Sequence, residues 1–143
     1  MVTVYDVPAN RLIKMAAEKL RDFPEVTPPQ WVAYAKSGAH AIRAPEGADF
    51  WYVRCASLLR SVYMKSPTGV SRLKTKYGGR KKRGSRPEHH ADAGGSMIRK
   101  ALQQLEKAGL MEQKKKKGRI ISAKGRSFLD SIAKEVKGGA TPA

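Results

Sequence analysis

The chain has a single cysteine, Cys55, among 143 residues, and 12 acidic side chains against 29 lysines and arginines. One thiol excludes an intramolecular disulfide, and its neighbours, CASLL, read as a small hydrophobe on a helix rather than a nucleophile. No run approaches the roughly 18 apolar residues of a membrane-spanning helix. The opening MVTVYDVPANR lacks the basic-then-apolar order of a secretion signal, so a cytosolic protein that engages no membrane is expected. Catalytic motifs are missing too. KYGGRKKRG does not follow the Gly-x4-Gly-Lys-Ser/Thr order of a nucleotide loop, and neither Gly-x-Ser-x-Gly nor a paired-carboxylate arrangement occurs. His89, His90 and Asp92 adjoin, but no further His or Cys lies at a zinc-like spacing, which favours phosphate contact or solvation over a metal. No enzyme, metal site or cofactor is expected.

What the chain has in excess is positive charge. The net +17 opposes folding by self-repulsion unless a polyanion neutralises it, which makes nucleic acid the leading partner. Apolar residues make up 41% of the chain, enough for the core of one domain. From Phe50 to Pro87 there is no Asp or Glu, yet Arg54, Arg60, Lys65, Arg72, Lys74, Lys76, Arg80, Lys81, Lys82, Arg83 and Arg86 all fall there. The densest part, GGRKKRGSRP, reads as a Gly-punctuated loop free to mould onto phosphates, with a merely solvated surface as the alternative.

Periodicity organises the rest. A first helix opens with Asp6 as cap and Pro8 in its first turn, carries Leu12, Ile13, Ala16, Ala17 and Leu20, and stops before Phe23-Pro24. A second, short helix is expected from Thr27 through Trp31, Val32 and Ala35 to Ser37-Gly38. Asp49 precedes FWYVRCASLLRSVYMK, apolar on most of its circumference and so destined for the centre of the domain. VSRLKTKY supplies two turns ending at Gly78-Gly79. Ser96 is the expected cap of a helix carrying Ile98, Ala101, Leu102, Leu105 and Ala108, which Gly109-Leu110 stops in a left-handed turn. Its other side shows Arg99, Lys100, Gln103, Gln104 and Lys107, donors suited to phosphates or base edges.

After that helix, LMEQ and RII flank KKKKG as a hairpin, and Ser122 caps a last helix with Phe128, Leu129, Ile132, Ala133 and Val136 on one stripe. The order predicts a mainly α fold, a winged helix-turn-helix-like domain with a small β-hairpin wing and extra N-terminal helices. It covers residues 1–137 and leaves a flexible tail at 138–143. Such a scaffold serves several functions. A structural RNA-binding protein leads. A winged-helix DNA-binding transcription regulator would lay the Arg99 to Lys107 side in a major groove, but the cations are spread over several elements. An enzyme acting on RNA lacks carboxylates in the basic region to hold magnesium.

Ordered segments of the chain resemble, nearly end to end, the small-subunit ribosomal protein family of archaea and eukaryotes called S-nineteen-e. They are VPANRLI, PxWVxxxK at 29–36, FWYVRxAS at 50–57, RxVYM at 60–64, KYGGRKxRG at 76–84, RPxH at 86–89, RKALQxLEKxGL at 99–110 and GRxxSxxGRxxLD at 118–130. The resemblance implies a structural constituent of the cytoplasmic small ribosomal subunit, in its head, bound to small-subunit rRNA and neighbouring small-subunit proteins. It also implies a need for the protein in late maturation of that subunit and a monomer when free. Carried onto this chain, the RNA-binding candidates are Arg54, Arg60, Lys65, Arg72, Lys74, Lys76, Arg80, Lys81, Lys82, Arg83, Arg86, His89, Arg99, Lys100 and Arg119. Trp31, Trp51, Tyr63, Leu102, Leu105 and Gly109 are expected to support the fold. Arg54 is open between packing and RNA contact, and Lys114, Lys115, Lys116 and Lys117 between a wing contact and a solvated tip.

Overall fold

The computed structural model describes residues 1–139 of the 143. Its elements run α1 (Ala9–Leu20), α2 (Phe50–Met64), α3 (Val70–Tyr77), β1 (Gly79–Arg83), β2 (Arg86–Ala91), α4 (Gly95–Lys107), β3 (Met111–Lys114), β4 (Gly118–Ile121) and α5 (Ala123–Gly138), with single 3-10 turns at Val4–Asp6 and Gln30–Ala33. Two separate antiparallel hairpins, β1-β2 and β3-β4, accompany the helices. The mainly helical, winged-helix architecture is therefore present. Gly138 closes α5, and residues 140–143 of the expected tail lie outside the described residues.

Helix α2 is the axle. Trp51, Cys55, Leu58, Leu59 and Val62 are buried on its several sides, because α1, α4 and β4 pack around it. Each such side chain contributes on the order of 1.5–3 kcal/mol of burial. Helices α1 and α4 are amphipathic by contrast, burying Leu12, Ala16 and Leu20, and Ile98, Ala101, Leu102 and Leu105. Between them, α2, α3 and α4 form the helical trio, and β3-β4 is the wing. The third strand usual for a wing sheet is reduced to one bridge, in which Thr68 and Arg119 exchange both backbone hydrogen bonds at 3.0 Å.

The ends of α4 and α5 follow from side-chain chemistry. Gly109 sits at φ 81°, where its N–H donates to Glu106 O and the Leu110 N–H to Leu105 O, both at 3.0 Å. That pair of bonds is the Schellman stop that Gly-Leu predicts. Ser122 Oγ accepts the Gly125 N–H at 3.1 Å and donates to Gly109 O at 2.6 Å, so one hydroxyl ties the start of α5 to the end of α4.

Four local expectations are corrected. Asp6 does not cap α1; its carboxylate turns back to accept the Thr3 N–H at 2.8 Å and closes the first 3-10 turn, while Pro8 precedes α1. The helix expected from Thr27 to Ser37 is only the turn Gln30–Ala33, since the segment buries no residue of its own to offset nucleation. Ser96 lies inside α4, whose cap residue is Gly94, held by its own N–H to Ser37 O at 2.8 Å. The loop expected over GGRKKRGSRP is the hairpin β1-β2, turned at Gly84 with φ 71°. It has no apolar alternation to reveal it, because neither face packs on the core.

Candidate nucleic-acid interface

The cations gather in three places that the fold brings to the outside of the helical trio. On the face shared by α2 and α3, Lys76 Nζ donates to Ser61 Oγ at 2.6 Å. Ser61 in turn bonds the Ser57 carbonyl at 2.9 Å, and Tyr77 Oη meets Ser57 Oγ at 2.6 Å. This ladder holds α3 against α2 and positions Arg60, Lys65 and Lys76 close together. Burial chiefly, and then the neighbouring Arg60 and Lys65, hold the Lys76 ammonium below the ordinary lysine range. Arg60 keeps its Nε buried without a hydrogen-bond partner. The cleft that Lys65, Arg72 and Lys76 border has no carboxylate in its lining, so these cations repel one another with nothing there to offset them.

Arg54 is on the same helix but behaves differently. Its guanidinium lies 4.4 Å from the Tyr77 ring centre and 5.3 Å from that of Phe50. Burial lowers its pKa from the usual arginine range, against a smaller opposing effect of Tyr77. The stacked geometry makes it a strut between α2 and α3.

The hairpin β1-β2 is the second place. Arg80 stands opposite His90 and Lys81 opposite His89, so the two faces of the ribbon each carry basic side chains. Every residue from Arg80 to His90 is exposed. The acidic groups nearby are few: Arg80 meets Glu88 at 3.8 Å and His90 meets Asp92 at 3.3 Å. At the base of the hairpin, Lys74 and Arg99 converge over Gly95, where an added Cβ would lie 3.3 Å from Lys74 Cδ and 3.9 Å from Arg99 Nη2. Lys100 is exposed beside them on α4.

The wing is the third. Lys114 to Lys117 form its exposed turn, with Lys116 at φ 62° and Lys117 N–H donating to Lys114 O at 3.2 Å. Arg119, expected among the RNA contacts, is turned inward with its side chain 13% exposed. Its Nε is 3.5 Å from Glu106 Oε2, an ion pair whose geometry leaves Nε without a hydrogen bond. Gln104 is placed inward as well. Expected on the outer side of α4, it accepts the Trp51 indole N–H at 2.8 Å and donates to the Thr27 carbonyl at 2.7 Å.

Among the residues expected to support the fold, Trp51, Tyr63, Leu102 and Leu105 are buried. Tyr63 Oη donates to Asp130 Oδ1 at 2.8 Å, and the Arg126 guanidinium covers its ring at 5.1 Å. Trp31 is 38% exposed and meets Trp51 edge-on with ring centres 6.4 Å apart. Among the described residues, no group of three or more His, Cys, Asp or Glu side chains is gathered to hold a metal ion, and no helix is long and apolar enough to cross a membrane.

A basic winged helix with a second basic hairpin inserted before α4 matches the sequence pattern of the family described as ribosomal protein S19e over residues 3–138. The chain belongs to this family. It is 50% identical over 138 residues to the small ribosomal subunit protein eS19 of Aeropyrum pernix, covering 95% of this chain and 90% of that one. The small ribosomal subunit protein eS19B of Schizosaccharomyces pombe is 43% identical over 132 residues, covering 92% of each chain. The small ribosomal subunit protein eS19 of Haloarcula marismortui is 41% identical over 137 residues, with coverages of 93% of this chain and 90% of that one.

Within this S19e chain, sequence reading passed over His40. A Cβ at Gly79 would come within 3.0 Å of His40 Cδ2, and one at Gly38 within 2.8 Å of its Nδ1, so the imidazole fills the base of the β1-β2 hairpin. The bridge Gly38 to Ala93 closes the same corner. Its only trace in the sequence is SGAH, small residues before a histidine, a signal too common to single out.

Proposed function

We propose that this chain is a structural protein of the cytoplasmic small ribosomal subunit. It binds small-subunit rRNA in the head by neutralising phosphates and fitting their shape, without catalysing a reaction, and it serves late maturation of the subunit. The observation that carries this reading is the hairpin β1-β2, an exposed ribbon with cations on both faces and no contribution to the core. Family membership and the names of the relatives support the ribosomal setting.

Arg60, Lys65, Arg72, Lys74, Lys76, Arg80, Lys81, Lys82, Arg83, Arg86, His89, Arg99 and Lys100 are the RNA-contacting set on this reading. Arg54 and Arg119 support the surface from beneath. Tyr34 and Ile42, 84% and 79% exposed, are apolar side chains suited to neighbouring ribosomal proteins. A DNA regulator is disfavoured because β1-β2 replaces the short turn that a helix-turn-helix places before its recognition helix.

The test is to replace Arg80, Lys81, Lys82 and Arg83 together by glutamine and follow co-sedimentation with small subunits. The isolated variant should keep its circular dichroism and melt no lower than the unaltered protein. Its association with small subunits should fall, and fall further as salt is raised. Unchanged co-sedimentation at both salt concentrations would refute the assignment. In cells, crosslinking should recover one rRNA region, whereas scattered duplex DNA with half-site symmetry would favour the regulator. Depletion should accumulate precursors of the small subunit.

A further inference from the structure

Lys114 to Lys117 look equivalent along the chain, but the fold separates them. Lys116 and Lys117 line one wall of a groove of about 810 Å³, and Lys65 and Arg72 line the other. Lys114 and Lys115 do not line it. The walls are brought together by the Thr68–Arg119 backbone bridge. They close further because Gly118 lacks a side chain, since a Cβ there would stand 2.7 Å from the Thr68 carbonyl oxygen. Lys65 and Arg72 also border an adjoining cleft of about 290 Å³ that reaches Lys76. The result is a cationic track from the wing to the face shared by α2 and α3, with no carboxylate in its lining.

The geometry points to this track as a second, separate seat for an RNA backbone segment, held between Lys116 and Lys117 of the wing and Lys65 and Arg72 of the opposite wall. The inference rests on the RNA-binding reading above and divides it into two sites. The occupant is a phosphate chain rather than a free nucleotide, because the lining offers cations, hydroxyls and three small apolar surfaces, Pro67, Val70 and Leu73, but no aromatic ring on which a base could stack. It is read by charge and shape, and not by sequence.

The test is hydroxyl-radical footprinting of the full chain on small-subunit rRNA. Three variants are compared with the unaltered protein: Lys116→Asn with Lys117→Gln, Arg72→Gln alone, and Lys114→Gln with Lys115→Gln. Asn is chosen at position 116 because it tolerates the left-handed backbone there. The 116/117 pair and Arg72→Gln should lose the same protected backbone segment, and the segment lost on neutralising Arg80 to Arg83 should remain protected in both. The salt slope of binding should fall by about 1–2 for the pair. The 114/115 pair should leave the footprint intact and weaken binding several-fold less. Equal losses from the two lysine pairs, or different segments lost from the two walls, would overturn the second seat while leaving the RNA-binding reading standing. No protected rRNA with the unaltered protein would overturn both. Unchanged melting temperatures exclude misfolding as the cause of any loss.

Discussion

The Trp51 indole N–H donates to Gln104 Oε1 at 2.8 Å, and the same amide passes on to the Thr27 carbonyl at 2.7 Å. One buried amide thus joins α2, α4 and the proline-rich connection. Replacing Gln104 by Ala strands the indole N–H and the carbonyl and should cost about 2 kcal/mol in urea denaturation. Replacing the exposed Gln103 by Ala should stay within about 0.5 kcal/mol. Two adjacent glutamines of one basic helix are expected to differ because one is structural and the other is solvated.

The start of α5 makes a second contrast. Ser122→Ala removes both the helix cap and the bond to Gly109 O and should cost about 1–2 kcal/mol. Gly125→Ala raises helix propensity yet should destabilise more, because the new Cβ would lie 2.1 Å from the Leu110 carbonyl oxygen and 2.9 Å from Ile121 Cγ1. Denaturant midpoints of the two variants check the order.

Lys76 sets stability against binding. Its folded-state pKa is lowered by burial and then by Arg60 and Lys65, so its charge disfavours the folded state wherever the unfolded chain is protonated. Relative stability should therefore rise as pH climbs from the depressed folded pKa to the ordinary lysine value. Lys76→Met removes the bond to Ser61 together with the charge, and should reduce the salt slope of RNA binding by about 1. The unaltered free protein should melt higher when moderate salt screens its self-repulsion.

Cys55 is a buried residue of α2, and burial pushes its thiol up to about 12. The native protein should resist thiol-labelling reagents at neutral pH, with labelling appearing only as the chain opens in denaturant. Rapid labelling without denaturant would contradict the packing around α2.

Much of this was legible because the signals are local. The periodicity of α1 and α4, the all-round apolar character of α2, the Gly109-Leu110 stop and the Ser122 cap each depend on residues within a few positions of one another. The β1-β2 hairpin was not legible, since a ribbon exposed on both faces shows no alternation of apolar and polar residues. His40 was missed for a related reason: its role depends on Gly38 and Gly79, and only folding brings Gly79 to it.

By itself the sequence determined that the protein is basic, that its core is helical and built around Phe50 to Met64, and that a hairpin follows the helix ending at Gly109. These are consequences of composition and short-range spacing. Only the tertiary structure decided which polar residues face outward. Gln104 and Arg119, which read as surface donors, are drawn inward by Trp51 and Glu106, residues remote from them in the chain or on a neighbouring element. The lysine run was divided the same way, two residues facing a basic groove and two not, because the Thr68–Arg119 bridge sets the angle of the wing. Charge is a property of the chain, but its direction belongs to contacts between distant segments.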